Sequence, residues 1–238
     1  MKKYVVLVVL LTAGFIARGQ NDFVVDANAS LRSVTGDFNA IEVSNGIDLY
    51  LSQSNNLAVA ISASKETIKA GIKTIVENGV LKIYYDGGRN WSKKDRVMRA
   101  YVSFVDLKKI DASGACDVVI AGKLTTADLN LKLSGACDFK GTVAVKILKI
   151  NVSGASDAQI TGTAETVDIE SSGASDVKSF ELVTDFCNVN VSGASDVQIT
   201  VNKELTARAT GASDVQYKGN AVLTDKRSNG ASSIAKVD

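Results

Sequence analysis

The chain has 238 residues, with 27 basic and 26 acidic side chains and a formal net charge of only +1. This balance argues against a nucleic-acid-binding protein, which carries a marked basic excess. Histidine is absent, which excludes Ser-His-Asp and Cys-His catalysis and removes the commonest transition-metal ligand. Proline is also absent, where average usage would give about twelve. Because proline cannot donate to a β-ladder, its absence is typical of a chain made mostly of paired strands.

Residues 1–19 have the features of a secretory signal peptide. A basic Met1-Lys2-Lys3 head precedes an apolar run over residues 4–17, and small residues allow cleavage before Gln20. The run is shorter than the ~20 residues of a membrane span, although an uncleaved anchor stays open. Cleavage would leave 24 basic and 26 acidic side chains. We therefore expect an exported protein, located in the periplasm, on the cell surface or in the medium, with no membrane span in the mature chain.

The segment after the signal peptide divides into a polar lead-in, residues 20–34, and an irregular β-region, residues 35–105, that forms broad coils or a cap over the first sheet edge. Asn45-Gly46 and Asn78-Gly79 have the sequence of tight turns between strands. Ser64 is predicted to cap a short helix that ends at Gly71. Strand-like patterns cover residues 38–43, 47–51, 57–63, 72–76, 80–85 and 97–105.

Residues 86–95 form a polar loop that carries the unrepeated charge cluster of the chain and its single tryptophan. Arg89, Lys93 and Lys94 are candidate binding residues, and Trp91 is a candidate platform for a sugar ring. A charged run in a polar loop is usually solvated, but this cluster is also the one place where a polysaccharide-acting enzyme could assemble a site.

A five-residue word, Ser-Gly-Ala-Ser/Cys-Asp in its common forms, occurs seven times from residue 113 onward. A period of about nineteen residues is typical of a solenoid in which each repeat is one coil. We predict regular repeats over 106–238 and one continuous domain over 35–238. The last word ends in Ser233 and lacks the aspartate, as expected of a terminal coil. The word glycines are Gly114, Gly135, Gly154, Gly173, Gly193, Gly211 and Gly230.

Apolar and polar residues alternate on both sides of each word. In the third copy, Leu148, Ile150 and Val152 alternate with polar residues, and a period of two indicates strands. A unit this short cannot bury its apolar face alone, so equivalent strands must stack ~4.8 Å apart. The sequence therefore predicts an all-β fold, a right-handed parallel β-helix. Glycine at each turn tolerates positive φ, and the handedness follows from the general preference for right-handed crossovers.

The three cysteines, Cys116, Cys137 and Cys187, share the inward parity. One interpretation is that they are buried small residues, two of them replacing Ser156 and its equivalents. The alternative is a Cys116–Cys137 disulfide between stacked coils, because Cα atoms ~4.8 Å apart are within the allowed range.

The aspartates of the words have outward parity and should form a single file along the stack. Neighbours ~4.8 Å apart would repel by roughly 0.9 kcal/mol even in a water-like dielectric. We interpret the file as a structural ladder in which each carboxylate accepts hydrogen bonds from its own turn. A file of weak Ca²⁺ sites is the alternative, although the sequence predicts neither a defined metal site nor a cofactor. The aspartates are Asp117, Asp138, Asp157, Asp176, Asp196 and Asp214.

These serial words, together with the earlier segment Ile41-Glu42-Val43-Ser44-Asn45-Gly46-Ile47-Asp48-Leu49, make the chain resemble the bacterial head GIN domain proteins, a family described as auto-transporter adhesins. The resemblance covers about residues 35–238. It implies a β-helical fold and a role in the cell envelope or at the surface.

The expected function is a non-enzymatic binding or structural module of the bacterial cell envelope. The resemblance suggests adhesion, with a surface glycan or a protein as partner. Nucleic acid is not an expected partner, and homo-oligomer formation stays open. A periplasmic sensing or scaffolding module is the alternative, and an enzyme that acts on polysaccharides is a further one.

Overall fold

The computed structural model describes residues 26–87 and 97–238, and most of these residues lie in β-strands. The predicted signal peptide, residues 1–19, and the start of the lead-in lie outside the described residues. In chain order the elements are β1 (Ser30–Arg32), β2 (Ala40–Val43), β3 (Asp48–Gln53), β4 (Ala58–Ala63), α1 (Glu66–Gly71), β5 (Ile72–Glu77), β6 (Val80–Tyr85), β7 (Met98–Phe104), β8 (Lys109–Gly114), β9 (Asp117–Thr125), β10 (Asp128–Gly135), β11 (Asp138–Gly154), β12 (Asp157–Ser171), β13 (Asp176–Gly193), β14 (Asp196–Gly211), β15 (Asp214–Lys218), β16 (Val222–Gly230) and β17 (Ser233–Lys236).

The words lie directly above one another. Parallel pairing places Gly114 opposite Gly135 and Gly135 opposite Gly154. From the second word onward, the alanine after the word glycine donates its amide to the glycine carbonyl one coil earlier, as from Ala174 to Gly154 at 2.8 Å. The predicted parallel β-helix with stacked turns is therefore confirmed, and its coils contain about 19 residues.

Each regular coil consists of a strand segment that ends at a word glycine and a segment that starts at the word aspartate. The two are joined by a second corner, which in Thr161-Gly162-Thr163 lies inside β12. Gly162 has φ +112°, and a Cβ there would fall 2.0 Å from the carbonyl oxygen of Val143 in the neighbouring coil. Both the conformation and the close approach require glycine at this corner.

The hydrophobic core fills the inside of the coils as one continuous cluster that extends from Phe38 to Ile234. Leu148, Ile150 and Val152 are at most 2% exposed, so the predicted inward parity is confirmed. Burial of a side chain of this size contributes ~1.5–3 kcal/mol, and in-register stacking repeats that gain in every coil.

The first coil in the chain is not the first coil in the stack. Strand β2 pairs in parallel with both β6 and β8, and β3 pairs with both β7 and β9. The β2/β3 coil is thus inserted between the β6/β7 coil and the first regular coil, β8/β9. Antiparallel strands extend this end, with β4 on β7, β1 on β4, and β5 on β6. In the described part of this region, β2/β3 and β6/β7 therefore supply coils, and β4 and β5 add antiparallel strands at their end.

Two details at this end differ from the sequence-based expectation. Ser30–Arg32, placed in the lead-in, forms β1 against β4. The helix begins one residue later than predicted, with Lys65 rather than Ser64 at the N-cap. The backbone amide of Ser64 instead donates to the carbonyl of Val97 at 3.0 Å. This hydrogen bond continues the pairing of β4 with β7, in which Ala63 lies opposite Met98, by one residue beyond the end of β4.

A polar clasp holds the segment before β1 against the capped end. Asp26 accepts a hydrogen bond from the Tyr101 hydroxyl at 3.1 Å and lies 3.5 Å from the Arg99 guanidinium. Burial alone would raise the pKa of Asp26, but hydrogen bonds from Ser62, the Asn28 amide and Tyr101, with the charge of Arg99, hold it below its ordinary value. Burial and the neighbouring Asp26 raise the pKa of Tyr101 to about 12. The clasp secures β1 over the edge of β4.

The last coil, β16 and β17, ends the core with polar side chains. Lys226 is in register with Ala207, and Ser228 with Ala209, and both alanines are fully buried. Lys226 thus occupies a column that points inward in earlier coils. A charge on the inner side of an edge strand discourages pairing with another chain, and the predicted departure of the last coil from the repeat is found here.

Candidate functional site

Each word carries the chain around a corner between two outer faces. We define face A as the outward side chains of segments that end at a word glycine, such as Asn151 and Ser153. Face B consists of the outward side chains that start with the word aspartate, such as Asp157 and Gln159. Because the coils are in register, each face is a set of side-chain columns with a spacing of ~4.8 Å.

Inside the corner, the fourth residue of the word satisfies a buried backbone donor of the preceding coil. The amide of Cys137 donates to Ser156 Oγ at 3.1 Å, that of Ser156 to Ser175 Oγ at 3.3 Å, and that of Ser175 to Ser195 Oγ at 3.2 Å. These side chains are all fully buried. An unpaired buried amide costs ~1–3 kcal/mol, so this file of hydroxyls explains why the word requires a small polar residue here.

Cys116 and Cys137 belong to the same inner file. Both are buried free thiols, as is Cys187, so the interpretation as buried small residues is confirmed and no disulfide joins the two coils. Each thiol donates to the carbonyl of the first serine of its own word, Ser113 or Ser134, at 3.2 and 3.3 Å. Hydrogen bonding to Cys137, together with burial, raises the pKa of Cys116.

The six predicted aspartates form one outward column at the start of face B, as the pairing of Asp138 with Asp157 illustrates. The column continues to Asp48, which sequence analysis did not include. The amide of Asp117 lies 3.4 Å from Asp48 Oδ1. Ser44-Asn45-Gly46-Ile47-Asp48 is therefore an eighth word, in which Asn45 takes the glycine position with φ +66°. The sequence signal that could have revealed this word is Asp48, which follows Asn45 by three residues, as Asp117 follows Gly114.

At the C-terminal end of the ladder, Asp196 and Asp214 accept backbone hydrogen bonds from the next coil, and not from their own turn as we expected. The Asp214 amide lies 3.3 Å from Asp196 Oδ1, and the Ser233 amide and hydroxyl lie 3.1 and 2.7 Å from Asp214 Oδ1. In-register stacking brings these donors close. The Asp214 amide also donates to the Ser195 carbonyl at 3.2 Å, so the carboxylate is the second acceptor of a shared N–H.

Repulsion along the ladder is only partly offset. Burial and the charges of Asp117 and Asp157 raise the pKa of Asp138. Farther along, Lys178 lies 3.0 Å from Asp176 and 3.5 Å from Asp157 and relieves that part of the column. Across residues 26–87 and 97–238, no group of three or more His, Cys, Asp or Glu side chains is arranged to hold a metal ion.

The four predicted binding residues, Arg89, Trp91, Lys93 and Lys94, fall in residues 88–96 and lie outside the described residues. The described chain instead presents two shallow grooves on face A, which sequence analysis did not identify. Each groove is formed by outward residues of consecutive coils. These residues become neighbours only because the coils stack on one another in this order.

The N-terminal groove has a volume of about 440 Å³ and crosses β6, β2, β8 and β10. Its charges neutralise one another. Lys109 lies 3.3 Å from Glu42 and 3.1 Å from Asp111, and Lys132 lies 3.7 Å from Asp111. Lys82, also in the lining, pairs with a glutamate of β5 at 2.7 Å. A ligand here would have to displace protein partners.

The C-terminal groove has a volume of about 420 Å³ and crosses the final segments of β12, β13 and β14. Its side chains form two columns. Glu170, Asn190 and Arg208 lie in one, and they are in register through the β12–β13 and β13–β14 pairs. Ser172, Ser192 and Thr210, the first residues of three words, line the other.

Stacked turns, polar outer columns and open grooves define this protein as a β-solenoid that presents extended surfaces. Residues 37–221 match the family model described as "Putative auto-transporter adhesin, head GIN domain". The chain belongs to this family, so the resemblance noted in the sequence is confirmed. Membership of an adhesin-like family points to an envelope or extracellular location.

Three solved bacterial structures have similar folds. A putative adhesin from Bacteroides fragilis NCTC 9343 is 22% identical, with a TM-score of 0.79 over 88% of this chain and 96% of that one. A putative adhesin from Parabacteroides distasonis ATCC 8503 is 17% identical, with a TM-score of 0.71 over 88% and 96%. A putative lipid binding protein from the same strain is 18% identical, with a TM-score of 0.67 over 89% and 97%. Comparison with curated proteins gives no match.

Among the described residues, no helix has the length and apolar character needed to cross a membrane.

Proposed function

We propose that the protein is a non-enzymatic, exported binding module of the bacterial cell envelope that holds a surface ligand on its outer faces. The observation that carries this proposal is the repetition of outward polar columns along face A, which gives a long, rigid surface with open grooves. Membership of an adhesin-like family supports it. The signal-peptide pattern of residues 1–19 supports export.

The aspartate ladder is assigned a structural role. Its carboxylates repeat evenly and accept amides of the next coil, as Asp196 does from Asp214 at 3.3 Å. Catalysis instead needs an unrepeated group of residues that converge on one point. A ligand class such as lipid, which the description of one similar structure names, is also less suited, because the side chains of the C-terminal groove are polar except for Val191.

The test is a binding screen of the chain from Gln20, which keeps every described residue, against glycans and extracellular-matrix proteins. Saturable binding to at least one surface is expected. Failure to bind any of them would contradict the proposal. Cell fractionation then separates a surface module from the periplasmic sensing or scaffolding alternative, because only the former would be accessible to protease on intact cells.

A further inference from the structure

We propose that the C-terminal groove of face A, formed by Glu170, Asn190 and Arg208, binds a neutral, hydroxyl-rich saccharide chain that lies along the stack. This inference rests on the proposed binding function, and it adds the position of the binding site and the chemical class of the ligand.

The first argument is the state of the polar groups in the groove. Within the described ranges, the side chains of Glu170, Asn190, Ser172 and Ser192 form no hydrogen bond or ion pair with the protein, and Glu170 is exposed. In the N-terminal groove, by contrast, the lining charges are paired with protein side chains. Arg208 is the exception in the C-terminal groove, because its guanidinium lies 3.1 Å from Asp225. A ligand can therefore bind to Glu170, Asn190 and the two serines without breaking protein contacts, which makes this groove the better candidate of the two.

The second argument is charge. Glu170 and Arg208 lie two coils apart, ~10 Å at the strand spacing, with the uncharged Asn190 between them. They are too far apart for an ion pair, and their charges sum to zero. Asp225, 3.1 Å from the Arg208 guanidinium, is itself paired with Arg227 at 3.2 Å, so the four charges still sum to zero. A polyanion or polycation would meet one favourable and one unfavourable end, whereas a neutral ligand meets neither.

The third argument is the hydrogen-bonding chemistry. A carboxylate accepts hydrogen bonds only, a guanidinium donates only, and an amide or hydroxyl does both. Sugar hydroxyls can donate and accept, so one chain of them can satisfy Glu170, Asn190 and Arg208 in turn. The serines and threonine of the second column add further partners. Because the groove is open and spans three coils, it suits an extended chain better than a small molecule, which prefers an enclosed pocket.

Aromatic side chains are missing from the groove lining, so no sugar ring can stack there. Affinity per site should accordingly be weak, with specificity arising from hydrogen bonds alone.

The experiment is saturation-transfer NMR of the chain from Gln20 with three soluble neutral polysaccharides: a mannan, an α-glucan and a β-glucan. We expect transfer to at least one of them. The variant Glu170→Ala/Asn190→Ala/Arg208→Ala should lose affinity by about tenfold or more, since it removes the central contacts. The matched control, Glu42→Ala/Asp111→Ala/Lys132→Ala in the N-terminal groove, should stay within about twofold. Thermal melts check that each variant is folded. If the triple variant is unfolded, the single variant Glu170→Gln is used in its place to test binding at the groove.

Three results would overturn the inference: no saturation transfer to any of the neutral polysaccharides, unchanged binding by the C-terminal groove variants, or equal binding of a polygalacturonate. If the glycan and matrix screen meanwhile finds a protein ligand, the proposed function stands and the saccharide site alone is wrong. If the screen finds nothing, the proposed function itself is contradicted.

Discussion

The hydroxyl of Ser175 accepts the buried amide of Ser156 from the neighbouring coil at a distance of 3.3 Å. Ser175 in turn donates its own amide to Ser195. The inner serine is therefore a link between three coils. This relationship distinguishes the buried fourth residue of the word from the outward first residue, although both are serine in the three words that start at Ser153, Ser172 and Ser192.

Replacing Ser175 by alanine should destabilise the protein by ~1–3 kcal/mol, because the Ser156 amide would be left buried without an acceptor. Ser175→Cys should cost less, since Cys116 and Cys137 fill equivalent positions in the native chain. The outward Ser172→Ala is the matched control, because Ser172 is exposed and its hydroxyl forms no hydrogen bond with the protein, and it should stay within ~0.5 kcal/mol. Urea unfolding measures all three, and an equal loss for Ser172→Ala and Ser175→Ala would refute this role.

Gly154→Ala should be among the most damaging single changes. Gly154 has φ +85°, and a Cβ would lie 2.4 Å from the carbonyl oxygen of Gly135. Strain and overlap together should cost roughly 3 kcal/mol or more. Gly79, with φ +76° and open space around it, isolates the conformational part, and Gly79→Ala should cost only ~1–2 kcal/mol. Thermal melts of the two variants should differ clearly; similar melting temperatures would mean that backbone stacking at the word is looser than described.

Asp138→Asn should stabilise the protein slightly at pH 7. Burial and like charges hold the pKa of Asp138 in the folded protein above its ordinary 3.8. The protonated carboxyl therefore favours the folded state below pH 3.8, and this stabilisation is lost as the pH rises through the folded-state pKa. Because the carboxylate is largely exposed, the gain should stay below ~1 kcal/mol. It should shrink in high salt and vanish near pH 3. A variant that is less stable than the wild type at pH 7 would contradict this reading.

Asp26→Asn should have the opposite effect. The pKa of Asp26 is below 3.8 in the folded protein despite burial, owing to Ser62, Asn28, Tyr101 and Arg99. The ionised Asp26 carboxylate therefore stabilises the folded protein above the ordinary pKa of 3.8, and this stabilisation is lost as the pH falls through the lower folded-state pKa. The variant should therefore lose about 1 kcal/mol at neutral pH, with the difference narrowing on acidification. Hydrogen exchange should also show faster opening of β1, and an unaltered β1 would argue against the clasp.

The repeated half of the fold could be predicted because the same alternation of apolar and polar residues occurs in several copies. Leu148, Ile150 and Val152 indicate a buried strand face, and the same phase recurs in the other copies, so an error in one copy would be corrected by the rest. The glycine period then determines the register. The inserted β2/β3 coil could not be predicted this way, because strand patterns state which face is buried but not which coil lies next to which.

The candidate grooves were missed for a related reason. Glu170, Asn190 and Arg208 are ordinary polar residues in sequence, 18 to 20 residues apart, and they become one surface only through register. The ladder donors were misplaced because local turn chemistry was given precedence over contacts between coils. Asp48 could have been found, since its word keeps the first serine and the final aspartate, although Asn45, Gly46 and Ile47 replace the three residues between them.

The central claim is that this protein binds a surface ligand without transforming it. The most direct measurement is to incubate the chain from Gln20 with a ligand identified in the screen and to record both saturable binding and the mass of the recovered ligand. The account predicts binding that saturates and a ligand recovered chemically intact. Cleavage of the ligand, or the absence of saturable binding, would contradict it.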